Sequence, residues 1–274
     1  MSLIEFMRRH ESTYVIGKIY RYIEVHSKNL FFEIGAFLRS NGIGTKKFKE
    51  LLELKDKYHE ERCFIIATGP SLTNEDVLKL KNEYTFSMNS MCFKFDELGW
   101  APTFYGVQDA KVFHAVKDYI GNDRIKYYFI DETYRKECGN QKRWVYFPRN
   151  SYYNAYDAYF KHSYKARFSN NAVAEVCEGF TITCSLIQIA VFMGFKEIYL
   201  MGCDCNYTSD HENNHFVSHG IIDPTYHEAR ERMLAGYKAA KEYADTHDIK
   251  IYNSTRGGML ELFERMPLER IDLK

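Results

Sequence analysis

Short apolar runs closed by small or polar residues recur along the chain from residue 63 onward. Cys63-Phe64-Ile65-Ile66-Ala67, Thr85–Met88, Thr103–Val107, Ile125–Ile130, Trp144–Phe147, Glu197–Met201 and Ile249–Tyr252 are largely continuous rather than alternating. That is the pattern of strands covered on both faces. Helical stretches lie between several of them: Asn74–Asn82, Thr183–Met193 and Pro224–Ala244. Strand, helix and strand in this order predict an α/β fold built on an open, mainly parallel, Rossmann-like sheet.

The first sixty residues read differently. Ile16, Ile19, Tyr20 and Ile23 recur at three- and four-residue intervals, which predicts one or two amphipathic helices over Met1–Ser40. The turn Asn41-Gly42-Ile43-Gly44 ends them, and a charged helix is expected over Lys46–Glu60. The expected division is an N-terminal helical extension over residues 1–60 and an α/β domain over residues 61–274. The extension either caps the main domain or docks on a partner or membrane surface. Arg8, Arg9, Lys18 and Arg21 supply positive charge, which Glu5, Glu11 and Glu24 dilute. The tyrosine-rich stretch Tyr152–Tyr164 interrupts the alternation, and two uses are open for it: rings packed over the sheet, or rings lining a ligand site.

Composition narrows the function classes. The chain has 274 residues, 45% apolar and 16% aromatic, so disorder and coiled coil are poor readings of the whole. Lysine plus arginine and aspartate plus glutamate number 37 each, so the basic excess usual for nucleic-acid binding is missing. No near-continuous apolar run suggests a spanning helix, and Met1–Asn29 lacks the order of a signal peptide. The cytoplasm is the expected compartment, with peripheral attachment to the inner face of the cell membrane as an option. Seven scattered cysteines agree with a reducing environment. Cys203 and Cys205 lack the spacing of a zinc knuckle, and Cys184 reads as core rather than nucleophile.

Candidate chemistry gathers at the ends of the apolar runs. In Ala67-Thr68-Gly69-Pro70-Ser71, Gly69 lets the backbone approach a ligand and Ser71 or Thr73 can cap the next helix, a turn suited to an anion. Asn89 follows the second strand, and Gln108 and Asp109 follow the third. Asn89 is placed to bind a nucleotide or to serve as a plain turn residue, and Asp109 to hold a hydroxyl or metal or to cap the next helix. Gly179-Phe180-Thr181-Ile182-Thr183 opens a helix with an array of donors at its positive end. Asp204 stands at another strand end and suits substrate orientation or weak basicity. A polar loop follows, carrying His211, His215 and His219. Their four-residue spacing raises a metal site, but Asn213-Asn214 and Ser218-His219-Gly220 disfavour a rigid helix, so a general base or substrate contact is preferred. His227 reads as a surface or packing residue. Asn253-Ser254-Thr255-Arg256-Gly257-Gly258 ends the last run, with Arg256 suited to clamping phosphate.

On Gly69-Pro70-Ser71-Leu72, Asn89, the Gly179–Thr183 turn, Gly194–Gly202 leading to Asp204, and Tyr252–Gly258, the chain resembles the MptE-like and motility-associated-factor group. It is also similar to the smaller bacterial sialyltransferases that use a CMP-activated sugar. The resemblance runs from about Cys63 to Leu268. It implies a donor nucleotide held by Gly69, Asn89 and Thr181–Thr183, and a late histidine that deprotonates the acceptor. His219 is the nearest match and His215 the second. The chain departs from the sialyltransferase branch at Thr68, Ile182 and Asn206-Tyr207, which leaves the donor open.

The function expected from these readings is glycosyl transfer from a nucleotide sugar to a polysaccharide or glycolipid acceptor. No cofactor is expected to be permanently bound, no resident metal is required, and self-association is allowed. The alternatives are ATP- and magnesium-dependent pterin diphosphotransfer, or sugar binding without turnover.

Overall fold

The computed structural model describes residues 11–121, 123–210, 214–217, 220–221 and 225–274, with side chains from residue 14 onward. Its frame is one sheet made of β1 (Arg62–Ile66), β2 (Thr85–Met88), β3 (Phe104–Val107), β4 (Tyr127–Asp131), β5 (Trp144–Phe147), β8 (Glu197–Met201), β9 (Lys250–Asn253) and β10 (Glu264–Arg265). Every pairing is parallel, and the spatial order is β10-β9-β8-β1-β2-β3-β4-β5. A separate two-stranded parallel pair joins β6 (Arg149–Asn150) to β7 (Val176–Cys177). The fold is therefore the open parallel α/β sheet with a helical extension that the apolar runs predict.

Side-chain alternation along the strands feeds two cores. Phe64 and Ile66 of β1 pack with Tyr105, Val107, Tyr128 and Ile130 on one face, while Cys63 and Ile65 join Phe86, Phe104 and Phe129 on the other. The helices that position the site are α3 (Asn74–Lys79), α5 (Ala110–Val116), α8 (Ile182–Phe192) and α9 (Ala229–Thr246); α4 (Phe95–Leu98) and α6 (Arg135–Cys138) are single turns. Gly106 is required by contact: a Cβ there would lie 2.7 Å from Leu186 Cδ2, because α8 rests directly on β3.

At the N-terminal side, α1 (Glu11–Ser40) is one helix of 30 residues. The expected helix over Lys46–Glu60 shrinks to a 3-10 turn (Thr45–Phe48) and α2 (Lys49–Leu52), followed by turns. Tertiary bonds win over helix continuation here. The Asp56 and Tyr58 N–H groups donate to the Phe192 and Met193 carbonyls at 3.1 and 2.8 Å, and Asp56 and Glu60 take positive φ. Phe48, Leu51, Leu54 and Tyr58 are buried in the same core as the sheet.

The stretch Tyr152–Tyr164 holds a short helix, α7 (Ala155–Lys161), and the Tyr164 ring meets the Phe180 ring edge-on at 5.6 Å. Tyr156 meets Tyr22 of α1 edge-on at 5.1 Å, and the Tyr164 hydroxyl donates to Glu228. Among the described residues, no helix is long and apolar enough to cross a membrane.

Candidate active site

The strand order reverses between β1 and β8: from β1 the chain builds outward through β5, then returns to build the other way from β8. In open parallel sheets the carboxyl ends of the strands at such a reversal form a crevice. A cavity of about 580 Å³ lies there, walled by Thr68, Gly69, Asn89, Asp109, Thr181 and Asp204 among others.

The floor is packed backbone to backbone. The Gly69 N–H donates to the Gly202 carbonyl at 2.9 Å, and a Cβ on Gly69 would lie 1.9 Å from Asp204 Oδ2. Gly258 presses on the other side of Asp204, where a Cβ would come within 3.0 Å of its Cα. Asp204 Oδ2 accepts the Ser71 hydroxyl at 2.8 Å. Burial pushes the Asp204 carboxyl above its ordinary value, and the Ser71 hydrogen bonds oppose that rise.

Across the cavity stands the N-terminus of α8. Thr181 caps it, its side-chain oxygen accepting the Thr183 N–H at 3.3 Å. The helix has 11 residues and is almost wholly buried, so its first amides and partial positive charge are held in a fixed direction. Gly179 and Gly236 let α9 close against this turn, since a Cβ on Gly236 would lie 2.3 Å from the Gly179 carbonyl. Three wall residues other than glycine adopt positive φ: Asn89 at 51°, Phe180 at 60° and Cys205 at 50°. Such backbone costs about 1–3 kcal/mol per residue and tends to collect at functional sites.

Charge enters from a third wall. Arg149 bridges Asp131 Oδ2 at 2.5 Å and Glu178 Oε1 at 2.7 Å. Burial disfavours its charge, but the two carboxylates overcome that and raise its pKa. Burial also raises the Glu178 carboxyl, against the pull of Arg149. Lys111, exposed in the first turn of α5, lines the same cavity and forms no salt bridge among the described residues. The wall thiols are not poised for attack: burial pushes Cys205 up to about 12 and Cys203 higher, so both stay protonated.

Of the residues singled out in the sequence, Thr68, Gly69, Asn89, Gln108, Asp109, Thr181, Thr183, Asp204 and His215 line this cavity. Several are already engaged. Gln108 Oε1 accepts the Ser185 hydroxyl at 2.7 Å, and Asp109 Oδ1 accepts the Val112 N–H at 3.0 Å as the cap of α5.

Three residues go elsewhere. Ser71, Asn253 and Arg256 line a second cavity of about 370 Å³. Asn253 is buried and bonds the Leu260 carbonyl at 2.6 Å, so it shapes the turn. Arg256 pairs with Asp76 at 2.5 Å and Glu269 at 3.1 Å. His211 and His219 lie outside the described residues. His227 is exposed beside Glu228, its Nε2 3.5 Å from the carboxylate.

Glu178, Arg149 and Lys111 were not singled out by the sequence. Glu178 directly precedes the Gly179 turn and Arg149 lies just past the end of β5, so the strand-end rule that found Asn89 also applies to them.

A family model described as 6-hydroxymethylpterin diphosphokinase MptE-like matches residues 41–210, more than half of the chain. The chain belongs to the MptE-like family. No curated protein matches it in sequence. Among solved structures, the MAf glycosyltransferase from Magnetospirillum magneticum AMB-1 is 14% identical over 84% of this chain, with a TM-score of 0.47. This chain spans 39% of that protein's length. The sialyltransferase CstII from Campylobacter jejuni, in complex with cytidine-5'-monophosphate, is 17% identical over 77% of this chain and 87% of its own, with a TM-score of 0.49. The same sialyltransferase with the substrate analogue CMP-3FNeuAc is 14% identical over the same shares, at a TM-score of 0.47.

Proposed function

We propose that the cavity at the β1–β8 reversal binds a nucleotide-activated sugar and passes the glycosyl unit to a hydroxyl of a glycan or glycolipid. The observation that carries this reading is the pairing of two anion-compatible backbones in one cavity: the close turn at Gly69 and the capped N-terminus of α8. Thr181, Thr183 and the first amides of α8 would hold the donor phosphate, with Lys111 offsetting its charge. Asn89 and Asp109 would face the nucleoside, and Asp204 would orient a sugar hydroxyl.

In the transfer step the acceptor oxygen bonds to the anomeric carbon as the bond from that carbon to the phosphate oxygen breaks. The nucleotide leaves with the electron pair, and a histidine takes the acceptor proton. His215 supplies that base from the cavity wall, with His219 of the same loop as the other candidate.

The family description favours a second reading, diphosphate transfer from ATP to a pterin alcohol. That reaction is expected to use magnesium brought in with the nucleotide phosphates, and Asp109, Glu178 and Asp204 are the cavity carboxylates that would help hold it.

The test is a screen of the purified chain against CMP-, UDP-, GDP- and TDP-sugars with glycan and glycolipid acceptors, run beside ATP, magnesium and 6-hydroxymethylpterin. Acceptor-dependent release of nucleotide from one sugar donor is the expected result. AMP formation with pterin diphosphate and no sugar transfer would establish the second reading instead. Nucleotide-sugar binding without turnover would overturn both in favour of a binding protein.

A further inference from the structure

Along α1 an alternation of four and three residues joins Ile16, Tyr20, Ile23, Ser27, Leu30, Ile34 and Phe37, six of them apolar or aromatic. Ile16, Ile23, Leu30 and Phe37 alone make an unbroken seven-residue repeat. On a straight helix a seven-residue repeat drifts by only about 20° per heptad, so these positions form one continuous stripe along α1, the arrangement that helices wound around each other use as a seam. All seven positions are exposed, with Tyr20 and Phe37 each at 69%.

The opposite side of the helix is the one that meets its own domain. Val25, Phe32 and Arg39 repeat at seven residues there. Val25 is buried, and Arg39 Nε donates to the Ala174 carbonyl at 2.8 Å. Between these positions, Glu33 pairs with Arg167 at 2.9 Å and Asn29 accepts from Asn150 at 3.3 Å. The helix is thus anchored along one side, and the seam points away from the domain.

We infer that a second copy of this chain covers the seam, joining two protomers through their α1 helices. Three observations favour a copy over a lipid surface. The seam carries no charge at any of its seven positions, and its single polar residue, Ser27, sits where one polar seam residue commonly sets register. Ile19, Phe31 and Leu38 widen it, and the exposed apolar side chains together offer on the order of 1,000 Å² per copy, the scale of the ~800 Å² a side that a standard stable interface buries. Lastly, the positive charge that would draw the helix to an anionic lipid surface is partly neutralised at Arg21 and Lys28. Both turn to Glu24, at 2.7 and 2.6 Å, in ion pairs within the helix.

The test is the mass of the full chain by light scattering and sedimentation, for the parent and for a variant carrying Ile23→Asp with Leu30→Asp. Both residues are exposed, so the variant should keep the parent's circular dichroism and melting transition. Twice the protomer mass for the parent and a single protomer for the variant are expected. Ser27 lies at the midpoint of the seam, so in either helix orientation two copies bring it together. Ser27→Cys should accordingly give a dimer on mild oxidation that the parent does not form. A monomeric parent overturns the inference, whether or not it floats with phosphatidylserine vesicles. A variant that stays dimeric overturns it as well.

Discussion

Gly69 and Asp204 close the β1–β8 reversal so tightly that residue 69 has no space for a side chain: its Cβ would sit 1.9 Å from the aspartate oxygen and 2.4 Å from the Gly202 carbonyl. The second contact is to backbone, which cannot swing aside. Gly69→Ala should destabilise the chain by about 1–3 kcal/mol, as overpacking of a close-packed site does. It should also weaken nucleotide binding, because the turn must open. Urea unfolding and calorimetric titration with nucleotide measure the two effects. An alanine variant equal to the parent in both would mean that the floor of the cavity is far softer than its packing implies.

The Ser71–Asp204 bond sets a pH dependence. Burial lifts the Asp204 carboxyl above 3.8, and the Ser71 hydroxyl holds it down. For a carboxyl raised in the folded state, the stability it contributes is full below 3.8 and is lost as pH rises through the folded value. Ser71→Ala removes the opposing bond, so the Asp204 pKa rises further and the acid limb of the rate profile moves to higher pH. The variant should lose about 1 kcal/mol near neutrality, the usual worth of one hydrogen bond, and less in acid. Rate and melting temperature across pH test both halves, and an unshifted acid limb would take the Asp204 carboxylate out of the chemistry.

Arg149 stands between the cavity-wall carboxylate of Glu178 and the buried carboxylate of Asp131 and compensates both. Asp131 is almost wholly buried, so Arg149→Met should cost about 3–5 kcal/mol, the penalty of leaving one side of a buried pair alone. Adding Asp131→Asn and Glu178→Gln to that variant should recover much of the loss. If the triple variant is no more stable than Arg149→Met, packing rather than charge governs this wall.

Histidine replacement tests the proton acceptor. His215→Ala and His219→Ala should be compared for turnover and donor affinity across pH. The base should cost roughly 100-fold or more in turnover, the low end of general-base contributions, while donor affinity stays within about twofold. Equal turnover in both variants and the parent would move the base to Asp204 or Glu178.

Much of the sheet was legible because parallel strands buried on both faces must be apolar throughout. Thr85–Met88, Trp144–Phe147 and Glu197–Met201 match their apolar runs at both ends. Pairs made only by topology were hidden. Arg149 and Glu178 are 29 residues apart, and nothing local says that β6 and β7 will bring them together. The turn at Asn253–Arg256 has the same small, polar character as the turn at Gly69, yet it opens on a different cavity. Composition marks a strand end but not its distance from the reversal. The helix expected over Lys46–Glu60 failed for a related reason, because the carbonyls that stop it belong to Phe192 and Met193 far along the chain.

The loop that carries His215 is tied to the strand end that forms the floor. The Phe216 N–H donates to the Thr68 carbonyl at 2.7 Å, and Ser90 reaches the Val217 carbonyl. The Thr68 carbonyl belongs to the same peptide unit as the Gly69 N–H, in the turn that would meet a donor. Loop and floor therefore share a thermodynamic cycle: whatever a bound nucleotide does to the geometry at Thr68 changes the free energy of holding the loop, and the loop's position changes nucleotide affinity by the same factor.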